Sequence, residues 1–171
     1  MKIYLAGNVP KGDKEAKSNI NWRKKYIEII SQNINDIEFF DPNVFYSIER
    51  DSKAVLGADS LSIKKSDLVV INGEEQLGAG TSMEFVIAKY FKKPVVTVLP
   101  KDSFHRRSNL FYNGKEITDW IHPFVGSFSD VIIENISEIK TAISKIEKQK
   151  IKGLSTIDEA IEYAKDFLKL E

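Results

Sequence analysis

Short apolar runs rich in β-branched and aromatic residues alternate along this chain with longer stretches whose apolar positions recur three and four residues apart. Lys2-Ile3-Tyr4-Leu5-Ala6 reads as a buried first strand, stopped by Gly7 and a polar stretch holding Pro10 and Gly12. From Ser18 the residues Ile20, Trp22, Tyr26, Ile27, Ile29 and Ile30 fall broadly on one helical face, with Ser18 or Asn19 as N-cap and an end near Asn33. Ile37-Glu38-Phe39-Phe40 predicts a second strand, closed by the turn sequence Asp41-Pro42-Asn43. Ala54, Val55, Ala58, Leu61 and Ile63 predict a helix over 52–65. Residues 67–71, Asp-Leu-Val-Val-Ile, form the clearest buried strand. A Gly-rich stretch over 72–80 then opens a helix over 81–91, and 94–99 is a fourth strand.

Beyond Pro100 the pattern loosens. Leu110-Phe111-Tyr112 and Lys115-Glu116-Ile117 flank Asn113-Gly114, which predicts a small hairpin. Val131-Ile132-Ile133 is a fifth strand, followed by a helix over 136–146. Thr156-Ile157-Asp158-Glu159 has the form of a capping box, opening a terminal helix with Ile161, Ala164, Phe167 and Leu168 on one face. Strands alternating with helices imply right-handed crossovers and a parallel sheet covered on both faces. The natural arrangement is an α/β, flavodoxin-like (Rossmann-like) three-layer sandwich with strand order 2-1-3-4-5, plus the hairpin and the amphipathic C-terminal helix. In such sheets ligands bind beyond the carboxyl ends of strands 1 and 3.

The 171 residues, 42% hydrophobic and 29% charged, predict one globular domain over 1–171, with a core over 1–147 and a terminal helix over 155–170. Lys and Arg number 25, matched by 25 Asp and Glu, so no basic surplus exists for coating a nucleic-acid polymer. No apolar run approaches membrane-spanning length and none forms a signal-peptide core, which predicts a cytoplasmic protein with no membrane partner. With no cysteine, covalent and acid/base chemistry falls to carboxylates, hydroxyls, amines and two histidines. Arginine stands only at 23, 50, 106 and 107, so forked anion binders are few.

The most informative stretch is Gly78-Ala79-Gly80-Thr81-Ser82-Met83-Glu84. Glycines let a ligand approach the backbone closely where a helix start offers unpaired N–H groups, which suits a phosphate or an anionic sugar substituent. The sequence is neither a Walker A loop nor a dinucleotide fingerprint. It also reads as an ordinary tight turn with Thr81 or Ser82 as N-cap and Glu84 as a first-turn acid. Asp59 precedes the third strand by about eight residues, roughly 12 Å back along a helix, and the strand returns about 16 Å. Asp59 and Glu84 can therefore share a sheet edge with the phenol of Tyr4, as an acid/base or nucleophile set. His105-Arg106-Arg107 reads as an anion clamp or, more simply, a solvated turn, and His122 as a packed or interfacial histidine. Trp22 and Arg23 can wall a base pocket or pack in the core, and Asp41 lies at the same edge as the second strand's exit.

Ile3-Tyr4-Leu5-Ala6-Gly7, Asp59 with Ser66-Asp67-Leu68-Val69-Val70, Gly80-Thr81-Ser82-Met83-Glu84-Phe85 and Lys93-Pro94-Val95 together resemble the nucleoside 2-deoxyribosyltransferase family over roughly residues 2–100. The resemblance implies a flavodoxin-like fold, a homodimer or larger homo-oligomer, and cleavage of the N-glycosidic bond of 2′-deoxynucleosides or nucleoside 5′-monophosphates. It makes Glu84 the nucleophile, Asp59 the acid/base group and Tyr4 the hydroxyl that orients Glu84, without metal or organic cofactor. Gly7, Asn8, Asp41, Gly78, Gly80 and Ser82 then border the substrate, and the region of Ser127, Ser129 and Asp130 reaches a neighbour's site. An oxocarbenium-like state captured by a carboxylate fits that assignment.

Two departures stand out. Gly78 occupies the place of a further acid in the transferases, with Glu74 and Glu75 nearby, and Asn8-Val9-Pro10-Lys11-Gly12 replaces the Ser/Gly/Arg-rich phosphate loop of the nucleotide-hydrolysing relatives. Lys11, Arg23 or the amides around Ser82 are the substitutes for holding a phosphate. The expected function is deoxyribosyl transfer between bases. The alternatives are hydrolysis of nucleoside 5′-monophosphates and a nucleotide-sensing module without turnover. The cytokinin-activating phosphoribohydrolases share a similar Gly-Thr-x-x-Glu signature, but their preceding Pro-Gly-Gly and Arg-containing segment are missing here.

Overall fold

The computed structural model describes residues 1–10, 21–41 and 51–169. Five short strands make the central sheet: β1 (Lys2–Ala6), β2 (Glu38–Phe40), β3 (Leu68–Asn72), β4 (Val95–Val98) and β7 (Val131–Ile133). Their order is β2-β1-β3-β4-β7 and every neighbouring pair is parallel, which is the predicted 2-1-3-4-5 order. The sheet is buried on both faces, so its strands read as continuous apolar runs. In β3 all five residues are buried.

Alternation along β1 divides the core in two. Ile3 and Leu5 join Val70, Val96 and Ile133 on one face, beneath Tyr26 and Ile30 of α1 (Trp22–Asn33) and Ile139 and Ala142 of α5 (Ile139–Ile146). Tyr4 and Ala6 join Val69, Ile71 and Val95 on the other. That face is covered by Ile63 of α2 (Ser52–Lys65), Phe85 and Ala88 of α3 (Ala79–Tyr90), and Val125 and Phe128 of α4 (Pro123–Phe128). Tyr4 pairs with Phe40 on one side and Val69 on the other, at the heart of the sheet.

The helix starts differ instructively from expectation. Asn21 caps α1 by accepting from the Lys24 amide, while the predicted caps Ser18 and Asn19 lie outside the described residues. Asp51 caps α2, accepting from the amides of Lys53 and Ala54. Helix α3 begins at Ala79, two residues early, because the Gly78 carbonyl already accepts the first helical bond, from Ser82 N at 3.0 Å. Thr81 and Ser82 are therefore not caps, and Glu84 stands in the second turn rather than the first. The expected capping box at Thr156–Glu159 does not form either. Helix α6 (Ser155–Leu168) starts from Leu154 with helical dihedrals and no side-chain cap. A true capping box sits instead at Asn135 and Glu138, opening the short 3-10 turn Ile136–Glu138 ahead of α5.

The hairpin is larger than predicted. Strands β5 (Arg106–Tyr112) and β6 (Lys115–Ile121) flank Asn113-Gly114, whose φ values of 48° and 73° suit the tight two-residue turn. The far end is secured by Arg106, which bonds Asp119 at 2.6 and 3.0 Å and the Leu99 carbonyl at 3.0 Å. Among the described residues no helix is long and apolar enough to cross a membrane.

Candidate active site

Tyr4 stands on the β1 face that α2 and α3 cover, and its hydroxyl donates to Glu84 Oε1 at 2.5 Å across 80 residues of sequence. Tyr4 is fully buried and Glu84 only 7% exposed. Thr81, buried one turn before Glu84 on α3, favours the ionised form of the same carboxylate. Asp59, half-buried on α2, stands near enough for the Tyr4 hydroxyl to favour its ionised form. The three residues that the sequence placed at one sheet edge are thus brought into one cluster. Tyr4 is more deeply buried, and Asp59 less solvent-facing, than residues of their type in their elements would be by default.

Burial pushes the Glu84 carboxyl up to about 7. The neighbouring charge of Asp59 adds to that rise, while the Tyr4 and Thr81 hydroxyls and the Arg23 guanidinium oppose it. Asp59 is also raised, by burial first, against the Tyr4 hydrogen bond and Arg23. Burial, then the two carboxylates, lifts the Tyr4 phenol far above its ordinary range, so it remains a donor. At neutral pH the cluster combines one carboxylate poised between its protonation states, a second carboxyl raised by burial, and a fixed hydroxyl.

The rim is built from the loops leaving β1, β2 and β3. At Gly7 a side chain is excluded by close approach, since a Cβ there would lie 2.6 Å from Trp22 Cζ2. Trp22 Nε1 donates to the Asn8 carbonyl at 3.1 Å. Asn8 Nδ2 donates to the Gln76 carbonyl at 3.1 Å and so ties the β1 loop to the loop after β3. The latter is fixed at its root by Asn72, whose Oδ1 accepts from the Tyr26 hydroxyl and the Glu74 amide. Asp41, after β2, lies at this edge with its carboxylate 3.3 Å from Arg23 Nε. Gly78, Gly80 and Ser82 are exposed at the start of α3, and the position a Gly80 Cβ would occupy faces open space. Lys11, Pro42 and Asn43 lie outside the described residues.

Other predicted residues fall elsewhere. Ser129 is buried against Thr97 Oγ1 at 2.7 Å and donates to the Val125 carbonyl. Asp130 accepts from the Val95 amide at 2.7 Å and pairs with fully buried Lys89. Asp130 thus lies at the amino-terminal end of β4, and neither residue touches the Tyr4–Glu84 pair of its own chain. The anion-clamp reading of 105–107 is corrected as well. Arg106 is committed to Asp119, Arg107 to carbonyls including that of Ser103, and His105 Nε2 accepts the Leu77 amide at 3.0 Å. His122 is packed, edge-on to His105 with ring centres 5.4 Å apart. Among the described residues no three His, Asp or Glu side chains gather as metal ligands.

Sequence reasoning undervalued Arg23 and Thr81. Arg23, Tyr26 and Ile30 share the buried face of α1, and an arginine at that spacing within an apolar stripe was the available signal. Thr81 precedes Glu84 by one helical turn, a spacing at which side chains meet.

No protein-family model and no curated protein sequence matches the chain. Solved structures do match its architecture. One is a 2-deoxyribosyltransferase from the psychrotolerant bacterium Bacillus psychrosaccharolyticus, with a TM-score of 0.54 and 17% identity, covering 90% of this chain and 98% of that one. A CMP N-glycosidase from Clostridium botulinum aligns with a TM-score of 0.47 and 17% identity, over 84% of this chain and 98% of its own. The first likeness establishes a shared fold over nearly the whole of both chains.

Proposed function

We propose that the protein cleaves the N-glycosidic bond of a 2′-deoxynucleoside and transfers the deoxyribosyl group to a second nucleobase, through a covalent intermediate on Glu84. The observation that carries this reading is the buried Tyr4–Glu84 hydrogen bond with Asp59 nearby. The fold shared with a 2-deoxyribosyltransferase supports it.

In this mechanism a Glu84 oxygen bonds the anomeric carbon as the carbon–nitrogen bond breaks, and the departing base takes a proton from Asp59. The half-buried place of Asp59 beside the cluster supports that role. Tyr4 fixes the carboxylate's orientation. A second base then attacks the same carbon, releases Glu84 and returns a proton to Asp59, whereas water in its place gives hydrolysis. Gly7, Asn8, Asp41, Gly78, Gly80 and Ser82 border the substrate. A second copy of the chain is the partner, docking on exposed Phe124, Ile157, Ile161 and Phe167 of α4 and α6.

Incubation with 2′-deoxynucleosides and their 5′-monophosphates, with and without a free acceptor base, separates the outcomes by chromatography of the released base. The expected result is release from a 2′-deoxynucleoside only when an acceptor is present, with the exchanged nucleoside as product. Release in water alone would make the protein a hydrolase. Binding without release would overturn the catalytic reading.

A further inference from the structure

Arg23 is the largest fully buried side chain of the described residues, and a buried guanidinium is stable only where its donors are met. Its two terminal nitrogens are met by carbonyls, and its charge by a carboxylate. Nη2 donates to the Gly7 carbonyl at 3.0 Å and Nη1 to the Asn8 carbonyl at 3.1 Å, both in the loop leaving β1. Nε lies 3.3 Å from Asp41 Oδ1, just beyond β2. The guanidinium stacks on Trp22 at 4.3 Å, and that indole also closes on Gly7 and bonds the Asn8 carbonyl. A lysine ammonium cannot reproduce this planar fork.

We propose that Arg23 is a positioning residue: it holds Gly7 and Asn8 after β1 and Asp41 after β2 in one wall of the site and supplies a buried positive charge that acts on the Tyr4–Glu84–Asp59 cluster. Its place is not that of a substrate clamp, because the fork is occupied by the protein's own carbonyls. The wall it builds carries Gly7, Asn8 and Asp41, and Asn8 passes the constraint on to the loop after β3 through Gln76. Its charge favours the ionised carboxylates, consistent with the lowering it exerts on Glu84, Asp59 and Tyr4. One side chain on α1 thereby couples loop order to the ionisation of a nucleophile on α3. The kinetic consequence rests on the glycosidic-bond reading. The electrostatic one does not.

The test compares wild type, Arg23→Gln and Arg23→Lys, each alone and combined with Glu84→Gln. The difference in unfolding stability with and without Glu84→Gln, followed against pH, reads the Glu84 titration without any substrate. Arg23→Gln is expected to move that midpoint up by about one pH unit, and Arg23→Lys to leave it in place. In base release, the Arg23→Lys variant is expected to keep the acid limb of kcat/KM while KM rises roughly tenfold, since its charge survives but its fork does not. If Arg23→Gln does not fold, Arg23→Lys decides alone: a raised KM with an unmoved limb supports the role. An unmoved Glu84 midpoint in Arg23→Gln, or an unchanged KM in Arg23→Lys, overturns it. Absence of base release by wild type would sink the catalytic reading yet leave the stability arm decisive for Arg23.

Discussion

At the scale of single residues, Glu84 is where burial and ionisation conflict. Its carboxyl is raised from 4.5 to about 7 by folding. A group raised in this way contributes its full stability below the unfolded value, and the contribution is lost as pH rises through the folded one. Replacing it by an uncharged isostere removes that loss. Glu84→Gln is expected to leave stability nearly unchanged around pH 5 and to raise it by on the order of 2 kcal/mol around pH 8.5, as measured by denaturant unfolding. The same ionisation predicts that kcat/KM for base release rises with pH along an acid limb centred near 7. Tyr4→Phe deletes a donor that favours the ionised carboxylate. It should lower the rate and move the acid limb to higher pH, and a limb moved to lower pH would contradict the arrangement. The gathering of Tyr4, Asp59 and Glu84 was legible in sequence because each sits at a predictable distance from a strand end. The buried position of Arg23 was less legible, since nothing local to it announces the carbonyls of Gly7 and Asn8 that it meets across the fold.

At the scale of elements, buried parallel strands are written as apolar runs, which is why β1, β3 and β4 emerge from pattern alone. Helix starts depend on one carbonyl or one side chain choosing between neighbouring options. Gly78 therefore displaces Thr81 and Ser82 as the boundary of α3, and the capping box appears at Asn135 rather than Thr156. The ends of the hairpin escaped the pattern because Arg106 extends it through a side-chain fork to Asp119, not through apolar alternation. Within its own chain Asp130 has a structural task, since it closes a buried ion pair with Lys89 and accepts the Val95 and Lys152 amides. Breaking one half of such a pair strands the other charge. Lys89→Ala is expected to destabilise the fold by about 3–5 kcal/mol while the remaining folded protein keeps its kcat, a split that unfolding and active-site titration together reveal. Gly7→Ala should behave in the opposite manner. The Trp22 edge must retreat, costing about 1–3 kcal/mol, and KM should rise with the displaced loop.

At the scale of the molecule, zero net charge leaves no global field, so a small ligand must be held by local contacts at the sheet edge. The topology supplies those contacts by bringing the ends of β1, β2 and β3 together where Tyr4, Asp59 and Glu84 meet. Away from that edge, α6 has no buried residue, and Tyr163 and Phe167 are 70% and 72% exposed. A monomer rarely leaves such a face open to water. Light scattering is expected to report a dimer, and Phe167→Glu with Ile161→Glu to shift it toward monomer. The central claim is that Glu84 carries the glycosyl group. It is tested most directly by base release from a 2′-deoxynucleoside, in the presence of an acceptor base, by wild type and Glu84→Ala whose fold is verified by circular dichroism. The account predicts a loss of at least about a thousandfold in the variant with its fold intact, and full turnover by folded Glu84→Ala would contradict it.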